Sequence, residues 1–180
     1  MISHIVELIV PGAKAEQFYD FMINPDSRRY SEWWPEEHLE FRIIKSNNEN
    51  HLGDEVYYDE YLGEKRRLAF YAVVTKANRH NHSEPLYSEN TAFGCHTYPE
   101  FVIVWQMKKA GLWLPAFLSL EMSDSPEGIQ IKHELQLGYR GFGEIFDPFI
   151  SLYFTESFQS AIEDHCRIEW PRLAEYLNRP

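Results

Sequence analysis

A histidine and a glutamate stand four residues apart near the C-terminal end of the sequence, in AIEDHCRIEWPRLAEYL. Helical periodicity places His165 and Glu169 on one face with Phe158 and Ile162, and places Ile168 beside that face. Side chains at i and i+4 of a helix meet, so an imidazole and a carboxylate there can converge on one metal ion. The alternatives are an ion pair within the helix and a pair on the protein surface. A carboxylate that faces the core needs a cation or strong donors, because burying an unpartnered charge is costly.

A second histidine is predicted to face the interior from a strand. In GIQIKHELQL, His133 shares its phase with Ile129, Ile131 and Leu135, whereas charged and amide side chains occupy the other phase. His133 is therefore either a core histidine that is hydrogen-bonded to a neighbour or a group that contacts a ligand.

The strand DEVYYDEYL offers a carboxylate on each of its faces. Glu60 shares a phase with Val56 and Tyr58, whereas Asp59 lies among tyrosines on the other face. Because both faces carry aromatic residues, the phase does not decide between Glu60 and Asp59, and Glu64 is a third candidate. The alternative is a solvated carboxylate beside the basic residues that follow the strand.

A further histidine ends the aromatic segment YSEWWPEEH. Trp33-Trp34-Pro35 forms a stiff entry to a strand, and His38 directly precedes the first apolar residues of that strand. The alternative for His38 is a loop histidine near the surface. Aromatic residues are also expected to form the wall of a substrate pocket, and the predicted wall residues are Trp33, Trp34, Tyr58 and Trp105.

Two other groups of potential ligands have less support. His80, His82 and His96 could form a rival cluster, but they lie in polar sequence without periodicity. Cys95 and Cys166 lack CxxC spacing, so a thiolate metal site is not expected.

The elements that must position these side chains follow from periodicity and turn residues. Strands are predicted over 2–10, 39–45, 54–62, 66–76, 101–109, 114–122 and 128–139, and helices over 14–23, 27–34 and 148–170, with a kink or a new start at Pro171. The polar stretch 77–100 is predicted to be a loop that serves as a lid or insert. A curved antiparallel sheet must have one face covered, and the long helix is the available cover. The prediction is an α+β fold, as one domain over 1–180.

Composition excludes several classes of function. The net charge of −11 and the scattered basic residues argue against nucleic-acid binding. No run is apolar enough to span a membrane, and the start of the sequence lacks the basic residues of a signal peptide. With two cysteines and no disulfide framework, a cytoplasmic location is expected. The expected partner is a small apolar or aromatic molecule, and a homodimer is compatible with the sequence.

The element order resembles the START/Bet v 1-like (SRPBCC) superfamily, the helix-grip fold of polyketide cyclases and lipid carriers. In that fold, two short helices follow the first strand, and a curved antiparallel sheet grips a long C-terminal helix over an apolar cavity. The resemblance covers nearly the whole chain, but a fold alone says little about chemistry.

Three segments are similar to the zinc-dependent 2,4-diacetylphloroglucinol hydrolase family within that superfamily. They are YSEWWPEEH, YYDEYLG and DHCRIEWPRLAEYL. The resemblance implies that the zinc ligands are His38, Glu60, His165 and Glu169. It also implies that Tyr30 contacts the substrate carbonyl, and that His133 is a substrate-facing histidine or one that supports a ligand.

The function expected from these features is metal-dependent hydrolysis of a small apolar carbonyl compound, such as an acylated phenol or polyketide. Zinc suits two histidines and two carboxylates, although iron, manganese or nickel bind similar donor sets. The alternatives are a non-catalytic carrier of a hydrophobic ligand and a metal-free polyketide cyclase or dehydratase that uses His133.

Overall fold

A computed structural model of the chain describes residues 2–47, 49–62, 66–79, 90–91, 94–95, 99–109, 111–138 and 154–179. The described strands are β1 (Ile2–Val10), β2 (His38–Lys45), β3 (Glu55–Leu62), β4 (Arg66–Arg79), β5 (Asn90–Thr91), β6 (Gly94–Cys95), β7 (Phe101–Lys109), β8 (Leu112–Ser125) and β9 (Gly128–Leu137). The described helices are α1 (Ala15–Ile23), α2 (Ser27–Trp33) and α3 (Glu156–Leu177).

Seven strands form one antiparallel sheet in the order β1-β9-β8-β7-β4-β3-β2, and β5 pairs separately with β6. The register shifts within β2, β4 and β7, and such bulges bend a strand and increase its twist. The sheet is therefore curved, and α3 packs against β1 and β3. The core lies between the sheet and the helices, as predicted for an α+β fold with a C-terminal helix.

The two shorter helices place the aromatic segment beside the sheet. Asn24-Pro25 separates α1 from α2, and the Asp26 side chain caps α2 by accepting from the Arg29 N–H at 2.8 Å. Helix α2 buries Tyr30 and Trp33 and ends in a tight turn, in which the His38 N–H donates to the Trp34 carbonyl at 2.8 Å. This turn delivers His38 to the first position of β2.

The C-terminal helix differs from its prediction at both ends. It begins at Glu156, where Thr155 accepts from the Phe158 N–H, rather than near residue 148; residues 148–153 lie outside the described ranges. It continues through Pro171 to Leu177 as one helix, so the final turns do not start anew at the proline. Proline removes one backbone donor, but the buried side chains around it keep both turns packed on the core.

Several strand limits also differ from prediction. Strand β4 extends three residues into the predicted loop 77–100, and β8 runs from Leu112 to Ser125 because its hairpin partners continue on both sides. The loop also contains the short β5–β6 pair, and its role as a lid concerns residues that lie mostly outside the described ranges. Within the described part of the chain, no helix is long and apolar enough to cross a membrane.

Candidate metal centre

Three separate elements bring four predicted ligands together. His38 and Glu60 are register partners on β2 and β3, and His165 projects from α3. One ligand atom from each of these residues lies within 4.8 Å of the other two. Glu169 completes the cluster, since its Oε1 lies 3.6 Å from His38 Nε2 and its Oε2 lies 3.9 Å from His165 Nε2.

His38 is fully buried rather than a surface loop residue. Its side chain has no solvent exposure, and neither ring nitrogen has a hydrogen-bond partner among the described residues. Tyr30 stacks on the ring at 4.5 Å, and Trp33 meets it edge-on at 4.2 Å. Buried polar atoms in proteins almost always have partners. The Tyr30 backbone interacts with the ring outside normal hydrogen-bond geometry and raises its pKa, which leaves one ring nitrogen available as a metal ligand.

The structure decides between Asp59 and Glu60 as the residue of β3 that lies beside His38, which the alternation of side chains along the strand does not decide. Asp59 receives a bidentate pair from Arg67, at 2.8 Å and 2.5 Å, and this pair holds the pKa of Asp59 below its usual range. Glu60 instead lies beside His38 and accepts a hydrogen bond from the Tyr30 hydroxyl at 2.6 Å. The third candidate, Glu64, lies outside the described residues.

Burial sets the protonation of the cluster. Desolvation raises the pKa of Glu169 to about 7, with His165 opposing the shift. Desolvation also raises the pKa of Glu60 to about 7, with His38 opposing and Glu169 adding to the shift. For His38, burial lowers the pKa to about 4, although Glu60 opposes this. The protein thus holds neutral imidazoles beside two carboxyl groups that form no ion pair with a lysine or arginine of the described residues.

The residues present fit a divalent metal ion. With bonds of about 2.1 Å, the ligands of a tetrahedral zinc ion lie about 3.4 Å apart, close to the separations of Glu169 from His38 and His165. Two imidazoles and two carboxylates form a donor set that zinc accepts. A cation would also satisfy the unpaired nitrogen of His38 and neutralise the buried carboxylates.

An apolar cavity of about 160 Å³ adjoins the cluster. Glu60, His165 and Glu169 line one side, and no described lysine or arginine contributes to the wall. Two of the predicted wall residues, Tyr58 and Trp105, line the cavity. Trp33 and Trp34 do not, because they pack against the histidine rings instead: Trp33 on His38 and Trp34 on His165.

His133 lies on the cavity wall with a partner that sequence reasoning missed. Its Nδ1 is 3.4 Å from the Sγ of Cys166, and both residues are buried. Burial lowers the pKa of His133 to about 4 and raises that of the Cys166 thiol well above its usual value, so both groups are neutral near pH 7. CxxC spacing identifies pairs of cysteines and says nothing about a single thiol. The sequence signal for Cys166 is its helical phase, which it shares with Ile162 and Trp170 and which predicts a buried side chain.

Two other groups of residues from the sequence analysis are Ile168 and the rival histidines. Ile168 is 48% exposed and lies outside the buried stripe, because it is one residue removed from Glu169 and turns toward solvent. The rival residues His80, His82 and His96 lie outside the described residues.

Comparisons with known proteins identify the fold. No protein-family model matches the sequence, and no curated protein matches it either. Among solved structures, the KanY protein superimposes with a TM-score of 0.57 at 8% identity over 99% of this chain and 98% of that chain. Ara h 8.0201 gives a TM-score of 0.55 at 8% identity over 98% and 97%. The fold is Bet v 1-like.

A third similar structure is that of a protein from a biosynthetic pathway. BexL, a di-domain ARO/CYC protein of the BE-7585A biosynthetic pathway, gives a TM-score of 0.56 at 12% identity, over 99% of this chain and 51% of its own. Its lower coverage agrees with its two domains. At 8–12% identity, these likenesses support the superfamily-level fold and leave the chemistry to the residues of the site.

Proposed function

We propose that this protein is a metal-dependent hydrolase, with zinc as the expected ion, that acts on a small and largely apolar carbonyl compound such as an acylated phenol or polyketide. The observation that carries the proposal is the convergence of two imidazoles and two carboxyl groups at the wall of an apolar cavity. His38 supports the proposal further, because it is fully buried and its Nε2, which faces Glu169, has no hydrogen-bond partner among the described residues.

Four residues would hold the ion: His38, Glu60, His165 and Glu169. When bound, zinc supplies Lewis acidity that polarises a carbonyl oxygen. The protein contributes a dry site, since His38 is fully enclosed and the other three ligands are buried or half-buried. In a site of low dielectric constant, charge stabilisation is stronger than in water.

Tyr30 has a defined task in this conformation. Its single hydroxyl proton is donated to Glu60, and burial raises the pKa of Tyr30 well above its usual value, so the proton stays on the phenol. Tyr30 therefore fixes the orientation of the Glu60 carboxylate. To donate to a substrate carbonyl, as the family resemblance implies, the hydroxyl must first leave Glu60.

His133 is the proposed proton-transfer group. It is neutral near pH 7 because burial lowers its pKa, and it lines the cavity beside the candidate centre. A neutral imidazole can accept a proton at one nitrogen while it carries one on the other. In the proposed reaction His133 orients the carbonyl or relays a proton to the leaving carbon.

The cavity limits the size of the substrate. An engineered apolar cavity of about 150 Å³ holds one benzene molecule, and the volume here is about 160 Å³. The described conformation therefore admits one ring with small substituents, which favours an acylated phenol over a polycyclic polyketide. Leucine and aromatic side chains dominate the wall, so the body of the ligand is apolar.

Two other functions use the same cavity. A non-catalytic carrier is favoured by the apolar wall, which binds a ligand without chemistry. A metal-free cyclase or dehydratase is favoured by the neutral His133 on the wall and by the fold that the chain shares with BexL. Neither function uses the His38 Nε2, which has no hydrogen-bond partner among the described residues.

Elemental analysis tests the proposal. Protein purified without added metal should contain about one zinc ion per chain, and His165→Ala should lose the ion and the hydrolysis of acylated phenols while remaining folded. Metal-free wild-type protein that retains a co-purified aromatic compound would support the carrier instead. Retention of the full metal content by His165→Ala would contradict the assigned ligands.

A further inference from the structure

Trp34 contacts two side chains of helix α3. Its indole stacks on the His165 imidazole, with ring centroids 4.8 Å apart and planes inclined by 26°. The Arg172 guanidinium lies over the same indole, 5.1 Å from the ring centroid. His165 and Arg172 are seven residues apart, which is about two helical turns, so they lie on one face of α3 and both contact the indole.

Trp34 also anchors the turn that leads into β2. Its carbonyl accepts from the Glu37 N–H at 3.1 Å and from the His38 N–H at 2.8 Å. The residue that packs on His165 is therefore also the residue whose backbone holds the turn carrying His38.

We propose that Trp34 and Arg172 are positioning residues that fix the imidazole of His165, and the turn carrying His38, in the geometry needed to bind a metal ion. This inference rests on the proposed metal site and deepens it, because neither residue touches the ion. The turn and the helix come from distant parts of the sequence, and Arg172 joins them through an attraction between a cation and an aromatic face.

The attraction matters because metal affinity depends on how well the ligands are held before binding. Groups that orient ligating histidines contribute about 10- to 100-fold to metal affinity in other proteins. His165 has no hydrogen bond from its ring to a carbonyl or a nearby carboxylate among the described contacts, apart from the 3.9 Å approach of Glu169. Among the described residues, the stacked Trp34 indole is the aromatic ring nearest to the His165 imidazole, closer than that of His38 at 6.1 Å, and this contact restricts the plane of the imidazole.

The experiment compares zinc affinity, measured by chelator competition, in the wild type, Arg172→Met and Arg172→Lys. Arg172 is exposed, so its replacement leaves the fold intact. Arg172→Met should weaken zinc binding about three- to fivefold, the fold-change that corresponds to an exposed cation–aromatic contact. Arg172→Lys should restore most of the affinity. Arg167→Met is the matched control, because Arg167 is an exposed arginine of the same helix that pairs with Glu163, and it should bind zinc as the wild type does.

Two spectroscopic signals separate positioning from general stability. The absorption bands of the cobalt-substituted protein should change in Arg172→Met but not in Arg167→Met. In the metal-free protein, the ring protons of His165 should carry an upfield shift from the indole, and this shift should decrease in Arg172→Met and in Trp34→Leu.

The outcomes are distinct. Unchanged zinc affinity, cobalt bands and His165 shift in Arg172→Met would overturn the positioning role, even if the wild type binds zinc. A wild type that binds no zinc, with a His165 shift that still depends on Arg172, would keep the positioning role and remove the proposed metal function. Trp34→Phe, which keeps an aromatic ring, should retain more of the shift than Trp34→Leu.

Discussion

His38 on strand β2 and Glu169 on helix α3 approach each other across the interior, with 3.6 Å between Nε2 and Oε1. The contact joins the sheet to the helix that covers it, in a region from which water is excluded. An ion pair would be a weak explanation, because burial keeps His38 neutral and raises the pKa of Glu169. The divalent cation that we propose would interact favourably with both side chains.

A conflict between stability and metal binding is predicted at Glu169. Its folded-state pKa is about 7, above its ordinary value, so ionisation penalises the folded state increasingly as the pH rises from about 4.5 through 7. Glu169→Gln should therefore make the metal-free protein more stable at pH 8, by on the order of 1–3 kcal/mol, while abolishing metal binding. Urea unfolding with a chelator present, together with elemental analysis, measures both effects.

The matched control for this substitution is Glu163→Gln on the same helix. Glu163 is exposed and pairs with Arg167, so its replacement should leave both metal content and stability nearly unchanged. A metal-free Glu169→Gln protein that is less stable than the wild type at pH 8 would show that the carboxylate has a favourable partner of its own.

Neighbouring carboxylates on β3 are predicted to have opposite roles. Glu60→Gln should lose most of the bound metal with little loss of fold, because Glu60 faces His38. Asp59→Asn should keep the metal and lower the free energy of unfolding by about 1 kcal/mol, because it weakens a pair whose Arg67 is largely exposed. Metal content and thermal melting, measured on both variants, check the assignment; equal metal loss in the two variants would contradict it.

Filling the cavity should separate ligand binding from metal binding. Leu118 lines the cavity and belongs to β8, which carries none of the four candidate ligands. Leu118→Phe should abolish the binding of a phenyl ketone, observed as a thermal shift or by calorimetry, while the metal content stays unchanged. Leu112→Phe, at a position 71% exposed on the same strand, is the control and should bind the ketone normally. Full ketone affinity in Leu118→Phe would place the ligand elsewhere.

His133 should contribute to the acid sensitivity of the protein. Its folded-state pKa of about 4 lies below the ordinary value, so the unfolded chain takes up a proton first as the pH falls. The stabilisation from keeping this histidine neutral is complete above about pH 6.5 and is lost progressively down to about pH 4. In the metal-free protein, His133→Gln should flatten the fall in melting temperature between pH 6.5 and 4.5. An unchanged slope would mean that His133 is not protected from protonation.

Much of the fold could be predicted from hydrophobic periodicity and from the turn-forming residues that separate the elements. Alternation in β9 placed His133 inward, and Pro-Gly, Asn-Pro and Ser-Pro-Glu-Gly sequences marked breaks between elements. The sequence predicts a kink or a new start at Pro171, whereas buried neighbours on both sides carry α3 through it as one helix to Leu177. At Pro171, tertiary packing outweighs the low helix propensity of proline.

The candidate site was harder to derive from local patterns. Spacing alone placed His165 and Glu169 on one face but could not show that His38 is their neighbour, because that depends on how the turn after α2 folds back. Asp59 and Glu60 were equivalent by phase, and only the bidentate pair with Arg67 separates them. The sequence predicts Trp34 on the cavity wall, whereas the structure packs it against His165 and Arg172 of α3. This contact joins two distant segments, so neither segment alone predicts it.

The most direct test of the proposed metal centre is a crystal structure from crystals grown in the presence of zinc. Diffraction data are recorded on both sides of the zinc absorption edge. The account predicts a single strong anomalous peak inside the protein, within bonding distance of His38, Glu60, His165 and Glu169. An interior without such a peak, while zinc binds only at surface carboxylates, would contradict it.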